Sequence, residues 1–103
     1  MTAPLRVIIT PNAADDLTDS WAWLRERNPR AADAWLSGIR DTILSLGTMP
    51  EAHPIAPESQ AFELPIRRAL YGRANRWRIY YAVIDGVVRV LHVRHGRRSG
   101  WQP

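Results

Sequence analysis

The chain has no cysteine and no lysine among its 103 residues. Lacking cysteine, it has no disulfide staple, thiolate metal site or cysteine nucleophile, and a reducing compartment suits it. Lacking lysine, it has no side-chain amine to act as a general base or Schiff-base nucleophile. Long apolar runs are absent too. None approaches the roughly 20 residues of a membrane-spanning helix, and no basic stretch followed by an apolar run opens the chain. A soluble, cytoplasmic protein is expected. The sequence also shows no glycine-rich phosphate loop, no dinucleotide-binding turn and no nucleophile elbow. The three histidines, His53, His92 and His95, lack metal-ligand spacing. Neither a metal nor a cofactor is expected.

What is present is arginine. All 14 basic residues are arginines, against 10 acidic ones, for a net charge of +4. Arginine codons are rich in G and C, which accounts for the bias itself. The chemical consequence is the same either way: planar, permanently charged guanidinium groups suited to carboxylates and phosphates. Hydrophobic residues make up 46% and charged residues 23%, a globular balance. The length suits one domain, so 1–103 is read as a single domain.

The pattern along the chain predicts an α+β fold. Leu5 to Ile9 is a short β-branched strand. Thr10-Pro11 is a cap followed by a first-turn proline and opens a helix to about Arg27. Ala14, Leu17, Trp21 and Leu24 form its apolar face. Asp15, Asp16 and Asp19 are placed in its first turns, where the helix dipole favours them; the adjacent pair Asp15 and Asp16 point apart. Asn28-Pro29 repeats the signal and starts a second helix. Its stripe is Ala32, Trp35, Ile39, Ile43 and Leu46, and Gly47 is its expected terminator. The short connection makes an antiparallel helical hairpin. Residues 48–60 read as an ordered proline-containing loop. A strand region follows from Phe62 to Tyr71, broken or edged by Pro65. Arg76–Ile84, the turn Asp85-Gly86 and Val87–His95 form a β-hairpin. The order is β-α-α-β-β-β, with the helical hairpin packed on one face of a mostly antiparallel sheet.

A two-residue turn fixes register. Ile84 faces Val87, Val83 faces Val88, and the pairing continues outward. Extended without interruption, it puts Trp77, Ile79, Tyr81, Val83, Val88 and Val90 under the helices, with His92 and Arg94 at the open end. The other face then carries Arg76, Arg78, Tyr80, Ala82 and Arg89, with Leu91, Val93 and His95. No acidic residue lies between Arg76 and Ile84 or after Asp85. Arginines on an apolar ground suit an anionic segment or a phosphate backbone. An ordinary exposed face, with arginine stems lying over Leu91 and Val93, is the other reading. His92 is then a satisfied structural histidine, and His95 is the best acid–base candidate, among arginines at a strand end. Trp101, near the chain end, either finds a partner or groove or folds back onto the sheet.

The stretch from Arg76 to Arg98 resembles the C-terminal half of the RelE/ParE toxin superfamily. It has a basic-aromatic start, the strand Arg78-Ile79-Tyr80-Tyr81-Ala82-Val83, an Asp-Gly turn, the strand Val88-Arg89-Val90-Leu91-His92-Val93 and the end His95-Gly96-Arg97-Arg98. The N-terminal strand, Thr-Pro helix and Asn-Pro helix match as well, so the likeness spans nearly the whole chain. The resemblance implies the toxin of a type II toxin–antitoxin module, bound and neutralised by a cognate acidic antitoxin. RelE-like relatives cut messenger RNA on the ribosome, whereas ParE-like relatives poison DNA gyrase. Arg78 and Arg98 fall on RelE-type arginines, and His95 would complete a ribonuclease set. The RelE-type lysines and C-terminal tyrosine have no counterpart, and neighbouring Arg67 and Arg68 cannot give up a proton at neutral pH. The resemblance therefore implies a ParE-like gyrase poison that needs no catalytic residue. Its target would meet Arg76, Arg78, Arg89 and Arg94, then Arg97, Arg98 and Trp101. Its antitoxin would cover Trp21, Leu24, Arg78, Tyr80, Leu91 and Val93. A third reading is a non-toxic partner-binding module of the same fold.

Overall fold

The computed structural model describes residues 3–96. Strand β1 (Arg6–Ile9) leads into helix α1 (Pro11–Arg27), which is followed by helix α2 (Pro29–Ser45). A 3₁₀ turn at Pro57–Ala61 precedes β2 (Arg67–Tyr71), β3 (Trp77–Ile84) and β4 (Val87–His95). The four strands form one sheet in the order β1-β4-β3-β2. β1 runs parallel to β4, and the other pairs are antiparallel. This is the expected β-α-α-β-β-β order.

The helix boundaries follow from capping. The Thr10 hydroxyl accepts from Ala13 N at 3.4 Å and donates to Val90 O at 2.7 Å. One residue thus starts α1 and ties it to β4. Asn28 alone joins the helices. Its N–H donates to Leu24 O, closing α1, and its side chain accepts from Ala31 N, opening α2. Each cap satisfies donors or acceptors that a helix end leaves orphaned. The shared residue forces the antiparallel hairpin, which Trp21 Nε1 cross-links to Asp33 at 3.0 Å.

The main core lies between the helices and one sheet face. Ala13, Leu17, Ile39, Ile43 and Leu46 meet Ala69, Ile79, Tyr81, Val88, Val90 and Val93, with Trp35 and Trp77 packed alongside. Ala13, not Ala14, heads the α1 stripe: Ala14 is exposed. The first turn of α1 holds no acid. Gly47 does not end α2 by a left-handed turn, since it lacks a positive φ. Its need for glycine is steric, because a Cβ there would lie 2.4 Å from Leu5 O. The second strand is shorter than expected. Residues 62–66 lie outside it, where Pro65 interrupts the strand pattern and the Ser59 side chain accepts from Ile66 N at 2.8 Å.

The hairpin turn is as expected, with φ of 53° at Asp85 and 72° at Gly86, a type I′ geometry. Uninterrupted pairing holds only as far as Tyr81↔Val90. A β-bulge then leaves Leu91 as an extra residue, and pairing resumes as Tyr80↔His92, Ile79↔Val93, Arg78↔Arg94 and Trp77↔His95. A one-residue slip swaps the faces of everything beyond it. Val93 and His95 therefore belong to the helix side: Val93 is buried in the main core, and His95 stands edge-on to Trp77, with ring centroids 5.0 Å apart. His92 and Arg94 move to the other face. These four placements correct the expectation from the sequence.

Candidate functional site

The sheet face turned away from the helices, called here the distal face, is built in cross-strand rungs. Arg68, Tyr80 and His92 make one rung across β2, β3 and β4, and Leu70, Arg78 and Arg94 make the next. Arg89 lies opposite Ala82, closer to the turn. Arg76 precedes β3 and is exposed, its carbonyl accepting from Gly96 N. The bulge thus adds Arg94 to the arginine face and aligns it with Arg78. Two like charges directly opposite are unfavourable unless an anion lies between or above them. The Arg94 Nε is buried and has no hydrogen-bond partner among the described residues.

A second, smaller core lies on this face. Ala56, Ile66, Tyr80 and Ala82 are buried, with Phe62, Ile84 and Leu91 packed against them. The segment from Pro57 to Ile66 lies over this face like a strap. Its 3₁₀ turn carries Glu58 to Tyr80. The Tyr80 hydroxyl interacts through side-chain hydrogen bonds with Glu58, Arg78 and Arg68. Burial pushes its phenol above the ordinary value, and Glu58 pushes it further as an acceptor and as a charge, while Arg78 and Arg68 pull it back. Tyr80 is thus a neutral phenol at physiological pH and a poor candidate for a base. Beside it, an open groove of about 540 Å³ runs between Phe62, Glu63 and Leu64 of the strap and Ala82, Ile84 and Leu91 of the sheet, closed at one end by Thr10, Asn12 and His92.

Other candidates have structural partners. Asp16 reaches from α1 to β4 where β1 has ended. Its Oδ2 accepts from Val93 N at 2.9 Å and from His92 Nδ1 at 2.9 Å. It replaces the missing strand and holds the bulge, so His92 is a satisfied histidine, though on a different face from the one expected. His95 lies across β4 from Arg94 and Arg78, so the ribonuclease set of Arg78 and His95 does not converge on one face. Its third member, Arg98, lies outside the described residues, as do Arg97 and Trp101. Arg67 donates to His53 O at 2.7 Å and to Glu51 O at 3.3 Å, fastening the proline loop. Trp21 and Leu24 are half-buried in the hairpin. Among the described residues no group of three or more His, Asp or Glu side chains could hold a metal ion, and no helix is long and apolar enough to cross a membrane.

Sequence reasoning missed Glu58, Phe62 and Ile66, which lie in or beside a stretch without periodicity. It also missed Asp16. The one available signal for Asp16 was an acid placed five residues after a helix opening, beyond the reach of a cap.

Two solved structures share this fold. A chain of the chromosomal ParDE toxin–antitoxin system of Pseudomonas aeruginosa superposes with a TM-score of 0.72 at 17% identity, covering 88% of this chain and 95% of that one. A chain of the RelBE2 toxin–antitoxin complex of Mycobacterium tuberculosis gives 0.59 at 22% identity, covering 90% and 99%. No curated protein matches the chain. The α+β fold is thus that of type II toxins of the RelE/ParE superfamily. Residues 7–100 match the family described as "ParE toxin of type II toxin-antitoxin system, parDE", and the chain belongs to it.

Proposed function

We propose that this toxin arrests growth by binding DNA gyrase, and that an acidic antitoxin segment neutralises it by covering the distal face. The observation that supports this most is the alignment of Arg78 with Arg94, with a buried, unpartnered Nε on Arg94. An anionic group from a partner supplies what these guanidinium groups lack. The groove of about 540 Å³ on the same face, which His92 of the neighbouring rung helps to line, gives apolar side chains of the same segment a seat. The solved relatives come from toxin–antitoxin complexes, which supports a cognate antitoxin here.

Gyrase is favoured over messenger RNA by chemistry. Activating a ribose 2′-hydroxyl needs a base within reach of the arginines. Lysine is absent, Tyr80 is held neutral by burial, and His95 faces the other way. A gyrase poison needs binding groups only: Arg76, Arg78, Arg89 and Arg94 of the described surface, continued by Arg97, Arg98 and Trp101. The site of action is the cytoplasm. Pulse labelling after induction without antitoxin tests the target. Loss of thymidine incorporation before methionine incorporation is expected. Loss of methionine incorporation first would move the target to the ribosome.

A further inference from the structure

Two orphaned groups of opposite character belong to the distal face. Arg94 Nε is a buried donor without an acceptor, and Glu58 Oε2 is a buried acceptor without a donor. No ion pair within 4.0 Å joins Glu58 to Arg68, Arg78 or Arg94 among the described residues. Glu58 and the guanidinium groups of Arg68 and Arg78 come together at the Tyr80 hydroxyl. A carboxylate kept dry and half-satisfied costs free energy unless its charge is useful where it lies. Here it lowers the positive potential over Arg68 and Arg78.

The strap that carries Glu58 is held by few hydrogen bonds and by the packing of Phe62 and Ile66 in the smaller core. Ala56 N donates to Ile66 O at 2.8 Å, and the Ser59 hydroxyl bridges Ile66 N and Leu64 O. Glu63, Leu64 and Pro65 are exposed, and the groove leaves space between the strap and the sheet. Segments with few hydrogen bonds to the body open at lower cost than the sheet they cover.

We propose that Glu58 is a built-in competitor for the arginine surface, displaced with its strap when the carboxylates of an incoming acidic segment take Arg78 and Arg94. This rests on the reading that the distal face receives such a segment, and it names the residue that sets the affinity. The exchange relieves both orphans at once: Arg94 gains an acceptor, and the released Glu58 reaches water. It also makes the site selective. A partner with a single carboxylate takes one arginine against the opposing charge of Glu58, whereas one with several acids at spacings matching Arg68, Arg78 and Arg94 gains more than Glu58 opposes.

The test uses the whole chain and a fluorescein-labelled decaglutamate peptide at low ionic strength, read by anisotropy. Glu58→Gln keeps the shape and removes the charge. It is expected to bind about tenfold tighter than wild type, the size of one unit charge acting at a few ångströms through a partly screened medium. Adding Arg78→Ala to Glu58→Gln is expected to abolish that gain. Glu58→Asp withdraws the carboxylate by one methylene and falls between wild type and Glu58→Gln, which keeps the test alive if the glutamine variant folds poorly. Amide exchange across Ser59–Phe62 is expected to quicken when wild type binds the peptide. Equal affinity of wild type and Glu58→Gln, with Arg78→Ala still weakening both, overturns the competitor role and leaves the distal-face reading intact. Unchanged exchange in the strap on binding overturns the displacement. Failure of both wild type and Glu58→Gln to bind overturns this inference together with the distal-face reading.

Discussion

The two faces of one sheet are built from the same strands by different rules. Tyr80 and Tyr81 are neighbours in β3, and both are almost completely buried. Tyr81 enters the helix-side core, and its hydroxyl donates to Pro50 O at 2.7 Å, which ties down a loop. Tyr80 faces the other way, into the smaller core with Ala56, Ile66 and Ala82, with its hydroxyl among one carboxylate and two guanidinium groups. Among the described residues, the helix side carries eleven buried core residues. The difference teaches where folding energy and binding capacity are stored. Apolar burial on the helix side supplies stability, while the distal face keeps buried polar groups incompletely matched, an arrangement that costs stability and suits a partner.

The largest effect should come from damaging the helix side. Ile79→Ala removes a fully buried side chain between helices and sheet and should cost about 3 kcal/mol in urea unfolding. Growth arrest should fade with the folded fraction. Next is Asp16→Ala. It orphans Val93 N and releases His92 at the bulge, so a loss of about 2 kcal/mol is expected from the same measurement. A wild-type midpoint for this variant would show that the bulge holds without its clasp.

The reverse dissociation is expected on the distal face. Arg78→Ala combined with Arg94→Ala should shift stability by only about 0.5 kcal/mol, because the lost contact of Arg78 with the Tyr80 hydroxyl is offset by relief of the repulsion between the two arginines. The same change should weaken antitoxin binding at least about tenfold, each lost charge-assisted contact being worth roughly 1.5 kcal/mol or more. If unfolding and binding shift together, the two faces are not separable.

Alkaline pH gives the smallest and broadest test. Burial raises the phenol pKa of Tyr71, Tyr80 and Tyr81 above 10.0 in the fold. A raised folded-state pKa means the unfolded chain loses its protons first. Stability should therefore be unaffected by these groups below pH 10 and fall as pH rises above it. Tyr80→Phe should lessen that fall in a comparison of unfolding midpoints on either side of pH 10. An equally steep fall in the variant would assign it to Tyr71 and Tyr81.

Much of the fold was legible because local signals agreed. Thr10-Pro11, Asn28-Pro29 and Asp85-Gly86 each have one strong local solution, and the helices and the hairpin turn formed where these residues put them. The distal face was legible only as far as the turn's register carried. The bulge at Leu91 arises from a tertiary contact, since Asp16 holds Val93 N from a helix 77 residues away in sequence. No pattern within β4 announces it. This one slip moved His92, Val93, Arg94 and His95 to faces opposite to those expected. The strap was illegible for another reason: Pro57–Ala61 has neither helical nor strand periodicity, and Phe62–Ile66, read as the start of a strand, lies outside β2, so the docking of Glu58 and Phe62 depends on the finished sheet.

The most direct measurement is gyrase supercoiling of relaxed plasmid with the purified chain, alongside the Arg78→Ala, Arg94→Ala double variant shown to have an unchanged unfolding midpoint. The expected result is that the wild-type chain stops supercoiling and the folded double variant does not. Supercoiling that proceeds with excess wild-type chain contradicts gyrase as the target, and equal inhibition by both proteins contradicts the distal arginine face as the surface that acts.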